Sequence, residues 1–165
     1  MPALTALLHT HNDALRLGRA LETLYACDQI VIVDHNSHDA TVQIAHEYGA
    51  SVVPTLADAS PTDSIARANG GSARGWIFCL TPRESVSESL ATSLFELKLR
   101  LEPESQKLDA YSVCLREETA QGWIDHLTPQ TRIVPHTWSR WIGNLPSDDP
   151  DAVALEGELL RFTLP

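Results

Sequence analysis

"QIVIVDHNSHDATVQIAHEYGASVV", Gln29–Val53, contains a strand, a polar turn, a helix and a second strand in one short run. Gln29 to Asp34 is dominated by β-branched apolar residues, the composition of a strand buried on both faces of a sheet. Ser37 or Asp39 then caps a helix on which Thr41, Ile44, Ala45 and Tyr48 share one stripe, and Gly49 supplies its stop. "SVVPT" follows as a short strand near a sheet edge, because Pro54 has no amide to give to a ladder. Strand, crossover helix and strand in that order are the repeating unit of a parallel sheet.

The same alternation extends outward on both sides. "LTALLH" (Leu4–His9) is an apolar run, after which Asn12 or Asp13 caps a helix with Leu17, Leu21 and Leu24 on one face and Tyr25 beside them. Leu56 to Arg74 reads as a loop with a short helix around Asp63 to Ala68, broken by Gly70 and Gly71. Those two glycines make either a phosphate cradle or a plain flexible loop. "WIFCL" (Trp76–Leu80) is a buried strand. A short polar turn leads from it into a long amphipathic helix with Leu90, Leu94, Leu97 and Leu101 on one face, ended by Pro103. Beyond that point the period changes to two. "DAYSVCLRE" alternates Tyr111, Val113 and Leu115, "TRIVPHTW" is strand-like, and "VALEGELLRF" closes the sheet. The expected fold is α/β, a mainly parallel sheet with antiparallel C-terminal strands, in a single domain over residues 1–165.

Composition limits the partners. A chain of 165 residues with 43% hydrophobic content buries roughly 70% of its unfolded surface without staples. Cys27, Cys79 and Cys114 are odd in number and widely spaced, so a reducing, cytoplasmic setting is expected, with Cys79 and Cys114 as small buried hydrophobes. The apolar N-terminal run is too short for a signal peptide, and no 18 apolar residues occur in a row. A net charge of −10 disfavours nucleic acid and anionic membranes.

In open α/β sheets, ligands bind at the carboxyl ends of the strands. "HTHND" (His9–Asp13), "DHNSHD" (Asp34–Asp39) and "LTPRE" (Leu80–Glu84) occupy three such ends. The histidines His9, His11, His35 and His38, with Asp34 and Asp39 between them, also offer the residue types of a zinc-type site.

The run "LLHTHND…LGRALETLYACDQIVIVDHNSHDATVQIAHEYGASVV" resembles the N-terminal half of glycosyltransferase family 2, of the lipopolysaccharide-core type. Asn12, Asp13, Asp34, the Ser37, Asp39 and Thr41 set, and Tyr48 to Ala50 carry the match. The resemblance continues through "ARGWIFCL", "PRESVSESL", "GWIDHLTPQTRIV" and "RWIGNLPS". It implies a GT-A, Rossmann-like nucleotide-sugar-binding fold, with residues 1–102 as the nucleotide-binding half and 103–165 as a reduced acceptor-side half. His9, His11, Asp34 and His35 lie where the family contacts nucleobase and ribose, and Arg67 and Asn69, in a loop shorter than the family's, match its "RN" pair in composition only.

The chain departs from that family at its chemical positions. The family's metal-binding "DAD" is Thr81, Pro82 and Arg83 here, its "HE" acid pair is Pro146 and Ser147, and its near-terminal histidine is Arg161. A guanidinium repels the hard cation that carboxylates would hold, so no divalent metal is expected as cofactor. Arg83 is either a surface arginine paired with Glu84 or, with Arg67, a fixed cation for a diphosphate. The first expectation is a degenerate glycosyltransferase that still binds a nucleotide or nucleotide-sugar. The second is an active metal-independent transferase with Glu84 or Asp125 as base, and the third is a non-enzymatic module that binds a protein partner or a second copy. Trp123, Trp138 and Trp141 fall in the acceptor half as sugar platforms or core residues, Trp76 packs the sheet, and "SDDPD" (Ser147–Asp151) reads as a solvated loop.

Overall fold

The structure is a computed structural model that describes residues 3–101 and 110–163. Its first half is β1 (Leu4–Thr10), α1 (Ala14–Glu22), β2 (Gln29–Asp34), α2 (Thr41–Glu47), β3 (Ser51–Pro54), α3 (Pro61–Ala68) and β4 (Trp76–Cys79). Then come β5 (Glu84–Val86), α4 (Glu88–Arg100), β6 (Tyr111–Thr119), β7 (Gly122–Asp125), β8 (Gln130–Pro135), β9 (Trp141–Ile142), β10 (Leu145–Pro146) and β11 (Val153–Arg161). The main sheet runs β3-β2-β1-β4-β8-β6-β11-β5, with β7 attached to β6, while β9 and β10 form a separate hairpin. Strands from both halves of the chain interleave, so one sheet spans them.

Pairing follows the sequence pattern with two corrections. β3, β2, β1 and β4 are mutually parallel, and β3 lies at the edge, where Pro54 is harmless. β8 is antiparallel to both β4 and β6, but β11 runs parallel to β6 inside the half expected to add antiparallel strands. The polar turn after Leu80 is followed not by helix but by β5, which pairs antiparallel with β11; the helix starts only at Glu88, capped by Ser87 Oγ accepting the Leu90 amide at 3.1 Å. A three-residue strand has too little pattern to be seen without its partner. Pro103 lies outside the described residues.

Both faces of the sheet are covered. On one face Leu4, Ala6 and Leu8 of β1 pack with Leu17 and Leu21 of α1 and with Leu90, Leu94 and Leu97 of α4. On the other, Leu7, Val31, Val33 and Ile77 pack with Ile65 of α3 and Trp138. Each fully buried leucine contributes roughly 1.5–3 kcal/mol relative to exposure. Helix α3 begins earlier than its apolar pattern indicates, because Ser60 and Asp63 form a reciprocal capping box at 3.1 and 2.9 Å, with Pro61 in the first turn. Trp76 is buried and meets Tyr111 edge-on, as expected of a packing residue. Cys79 is buried, but Cys114 is exposed, because strand β6 turns that residue away from the core side taken by Val113 and Leu115. Among the described residues no helix is long and apolar enough to cross a membrane.

Gly157 marks where β11 meets the start of α4. Its φ is +94°, and a Cβ there would lie 2.2 Å from the Leu90 backbone nitrogen. Gly157→Ala therefore destabilises the chain by at least about 2 kcal/mol, measured as a lower urea midpoint with an unchanged m-value.

Candidate functional site

Parallel pairing brings the ends of β1, β2, β3 and β4 side by side, with Thr10 opposite Asp34 and Asp34 opposite Pro54. The two antiparallel steps through β8 restore the direction, so β6 and β11 finish at this same end of the sheet. The turns after β1 and β2 are stitched together. Asn12 and Asn36 take left-handed backbone conformations, φ +51° and +56°, which asparagine tolerates better than most residues. The Asn12 amide donates to Ser37 Oγ at 2.9 Å, the His38 amide to Asn12 Oδ1 at 2.8 Å, and the Asp13 amide to Thr41 Oγ1 at 2.9 Å.

Asp39 joins the two helices. Its carboxylate accepts from the amides of Ala14 (3.2 Å) and Thr41 (2.9 Å) and from the Thr41 hydroxyl. The Thr41 hydroxyl contributes most to holding the Asp39 carboxyl below the usual range. Of the expected caps, Asp39 serves α2 and Ser37 does not. Asp13 sits at the start of α1, but its side chain accepts the His11 amide instead, at 2.8 Å.

Asp34 is 8% exposed and accepts the hydroxyls of Thr10 (2.7 Å) and Ser37 (2.6 Å) and the Ser37 amide (2.9 Å). Burial presses its pKa upward, yet these donors, the Ser37 pair foremost, hold it below the ordinary value. His9 Nδ1 and His35 Nε2 are 2.9 Å apart. Burial, reinforced by the neighbouring His35, lowers the His9 pKa to about 4, so the ring is uncharged at neutral pH. His9 Nε2 is buried with no hydrogen-bond partner among the described residues. A cavity of about 300 Å³ lies beside it, lined by His9, Leu80, Thr81, Ile142, Asn144 and Leu145.

His11 is exposed and its Nδ1 meets the His35 carbonyl at 2.6 Å, so that nitrogen carries the proton. Arg67 donates to the Pro54 carbonyl at 2.7 Å and to Ser64 Oγ at 3.3 Å, which sets its guanidinium at the end of β3. Thus His9, His11, Asp34, His35 and Arg67 share one sheet end. The zinc-type set is not assembled: among the described residues no three His, Cys, Asp or Glu side chains are gathered in a metal-holding group, and Asp34 and Asp39 are taken by hydroxyls and amides.

The turn after β4 differs most from expectation. Glu84 does not pair with Arg83. It is fully buried, and Oε1 accepts from Arg132 Nη1 (2.8 Å) and the Thr81 amide (2.8 Å), while Oε2 accepts from Arg132 Nη2 (2.9 Å) and Arg161 Nη2 (3.1 Å). Burial is the largest single influence on its pKa and raises it, but Arg132, Thr81 and Arg161 together hold it below the ordinary range. With four donors and no solvent access, Glu84 anchors the turn. Arg132, also fully buried, was absent from the candidate residues. Its signal was a lone cation inside the apolar strand "TRIVP".

Arg83 is exposed, and its side chain makes no ion pair among the described residues. Asp125 stands on the exposed β7, 3.2 Å from Arg116 Nε, and three strand spacings, about 14 Å, separate β1 from β6, on which β7 hangs. Pro146 is buried and the Ser147 hydroxyl donates to the Arg140 carbonyl at 2.9 Å. The "SDDPD" segment is pinned rather than loose: Asp148 accepts the Thr131 amide at 3.0 Å and Asp149 meets Arg140 at 2.7 Å. Trp138 is core, Trp141 is half-buried, and Trp123 is 41% exposed. Gly70 and Gly71 follow α3 with positive φ and form a turn, not the start of a helix.

This arrangement of four parallel strands, stitched turns and a returning C-terminal sheet has counterparts among solved structures. Residues 1–349 of S. aureus TarS superpose with a TM-score of 0.55 at 14% identity, over 81% of this chain and 47% of that one. The chain has the GT-A glycosyltransferase fold. A longer TarS structure gives a TM-score of 0.54 at 16% identity, over 81% of this chain and 28% of that one. TarS in complex with UDP gives 0.51 at 15% identity, over 73% of this chain and 37% of that one. The GT-A chain described here thus spans about half the length of the first of these structures, or less of the others. No protein-family profile and no curated protein matches the sequence.

Two outcomes follow from the site's electrostatics. Glu84→Leu leaves Arg132 buried without its counter-charge and costs about 3–5 kcal/mol, read by urea denaturation. His9 has a folded pKa of about 4 against 6.5 unfolded, so the unfolded chain binds more protons between these values. Stability is full above pH 6.5 and declines toward pH 4, by at most about 1.4 kcal/mol per pH unit, less to the extent that solvent screens the ring. His9→Asn removes the titrating ring while keeping a polar group near His35, and flattens that slope between pH 7 and 5.

Proposed function

We propose that this GT-A domain is a degenerate relative of the family 2 glycosyltransferases that binds a nucleoside diphosphate, or its sugar ester, without a metal ion and without efficient transfer. The observation that carries this reading is the state of the turn after β4. A divalent ion bridging a diphosphate to that turn needs anionic oxygens. The turn offers Thr81, a buried Pro82 and the exposed Arg83, and its one carboxylate, Glu84, already holds two guanidiniums. The residues do not fit a metal.

Support for a nucleotide comes from the opposite side of the same sheet end. The neutral His9 ring lines a cavity of about 300 Å³ and meets His35 at 2.9 Å, and imidazole can stack on and hydrogen-bond to a base. Arg67 and Arg83 are the cations available to a diphosphate, as charge-assisted donors. UDP is the first candidate because a TarS structure of this fold contains it. Transfer lacks a base in this reading: Glu84 is sealed and Asp125 is paired with Arg116.

Thermal unfolding with UDP, GDP, CDP and dTDP, each with manganese or with EDTA, tests this. One nucleotide is expected to raise Tm, by about 2.7 kcal/mol of stabilisation at 100 times its Kd, equally in manganese and EDTA, and less in Arg67→Gln. Stabilisation that requires manganese, or none by any of the four, overturns the proposal.

A further inference from the structure

Away from the histidine cavity, the same end of the sheet carries a cluster of rings and cations in which neither Arg19 nor Arg83 has a carboxylate partner among the described residues. The Phe162 amide donates to the Arg83 carbonyl at 2.8 Å, which extends the Arg161↔Glu84 register of β11 and β5 by one residue. Side chains alternate along a strand, so while Glu84 and Arg161 point into the buried ion pair, Arg83 and Phe162 stand together on the opposite side. Arg19 of α1 lies over the Phe162 ring, its guanidinium carbon 4.2 Å from the centroid. Trp123, at the tip of the β6–β7 hairpin, meets the same ring edge-on at 5.2 Å and 86°. Arg19, Arg83 and Trp123 are all exposed.

Acidic residues outnumber basic ones 22 to 12, yet five of the ten arginines have no carboxylate partner among the described residues. Arg16, Arg116, Arg132, Arg140 and Arg161 each have one. Arg19 and Arg83 have none among the described residues; Arg19 lies over the Phe162 ring, and Arg83 is the backbone partner of Phe162. Two like charges converging on one ring repel, and an anion between them relieves that repulsion. An exposed indole beside them adds a flat apolar face of the kind that sugars stack on. Glu118, cross-strand from Trp123, is the acid nearest in register and sets the polar limit of the surface.

We propose that Arg19, Arg83, Phe162 and Trp123 form a subsite for a saccharide that carries a carboxylate or phosphate, with the anion between the arginines and the pyranose ring against Trp123. It does not require a nucleotide, because Arg19, Phe162 and Trp123 are no part of the histidine cavity, although Arg83 is shared with the diphosphate of the preceding proposal.

The test is an NMR titration of the folded chain, following the Trp123 indole N–H, identified by its loss in Trp123→Phe. Glucose 6-phosphate and glucuronate are expected to shift it saturably in the millimolar range and more weakly as salt rises, whereas glucose leaves it unmoved. Arg19→Gln is expected to weaken binding roughly tenfold, the size of one charge-assisted hydrogen bond, and to leave any UDP response unchanged. No saturable shift, wild-type affinity in Arg19→Gln, equal binding of inorganic phosphate, or loss of binding in His9→Asn each overturns the proposal. A chain that binds glucose 6-phosphate but no nucleotide refutes the nucleotide reading and leaves this one standing.

Discussion

One buried carboxylate organises the C-terminal half of the sheet. Glu84 takes both forks of Arg132 and one of Arg161, all within 3.1 Å, and so ties the turn after β4 to β8 and to the end of β11. Such a charge has no tolerable alternative: in a dry interior it must be fully paired or it destabilises the fold by several kcal/mol. The Arg132 side chain also donates to the Cys79 carbonyl at 3.1 Å, which fastens the end of β4 itself. The short strand β5, its pairing with β11 and the outward direction of Arg83 all follow from where Glu84 is held.

The same constraint bears on what the turn can do. A carboxylate engaged on every side has no free oxygen turned to solvent. Glu84 thus serves as a structural fastener between β5, β8 and β11. Around it the sheet end presents cations and uncharged rings. His9 is neutral, Asp34 is enclosed by hydroxyls and an amide, and Arg67, Arg83 and Arg19 are held by backbone, by nothing charged, or by an aromatic face. An anion is the complement of such a surface.

The residues that make the sequence resemble a glycosyltransferase have a physical role independent of catalysis. Asn12, Ser37, Asp39 and Thr41 exchange hydrogen bonds across the turns that follow β1 and β2 and lock the starts of α1 and α2 to each other. Losing any of them exposes amides at the ends of two helices. The turn after β4 carries no such exchange between helix starts, so its residues are less constrained by the scaffold.

Local pattern alone determined much of this protein. The β-branched run Gln29–Asp34, the leucine spacing of α4, the edge position enforced by Pro54 and the convergence of His9, His11, Asp34 and His35 are all properties of short segments repeated in register. Tertiary structure alone decided the partner of Glu84, because Arg132 and Arg161 lie 48 and 77 residues away and nothing local distinguishes them from Arg83. It likewise decided the parallel pairing of β11 with β6, the exposure of Cys114 and the meeting of Arg19, Phe162 and Trp123. Periodicity records which face of an element is buried, whereas the identity of a charge's counter-charge depends on which strands the closed sheet sets side by side.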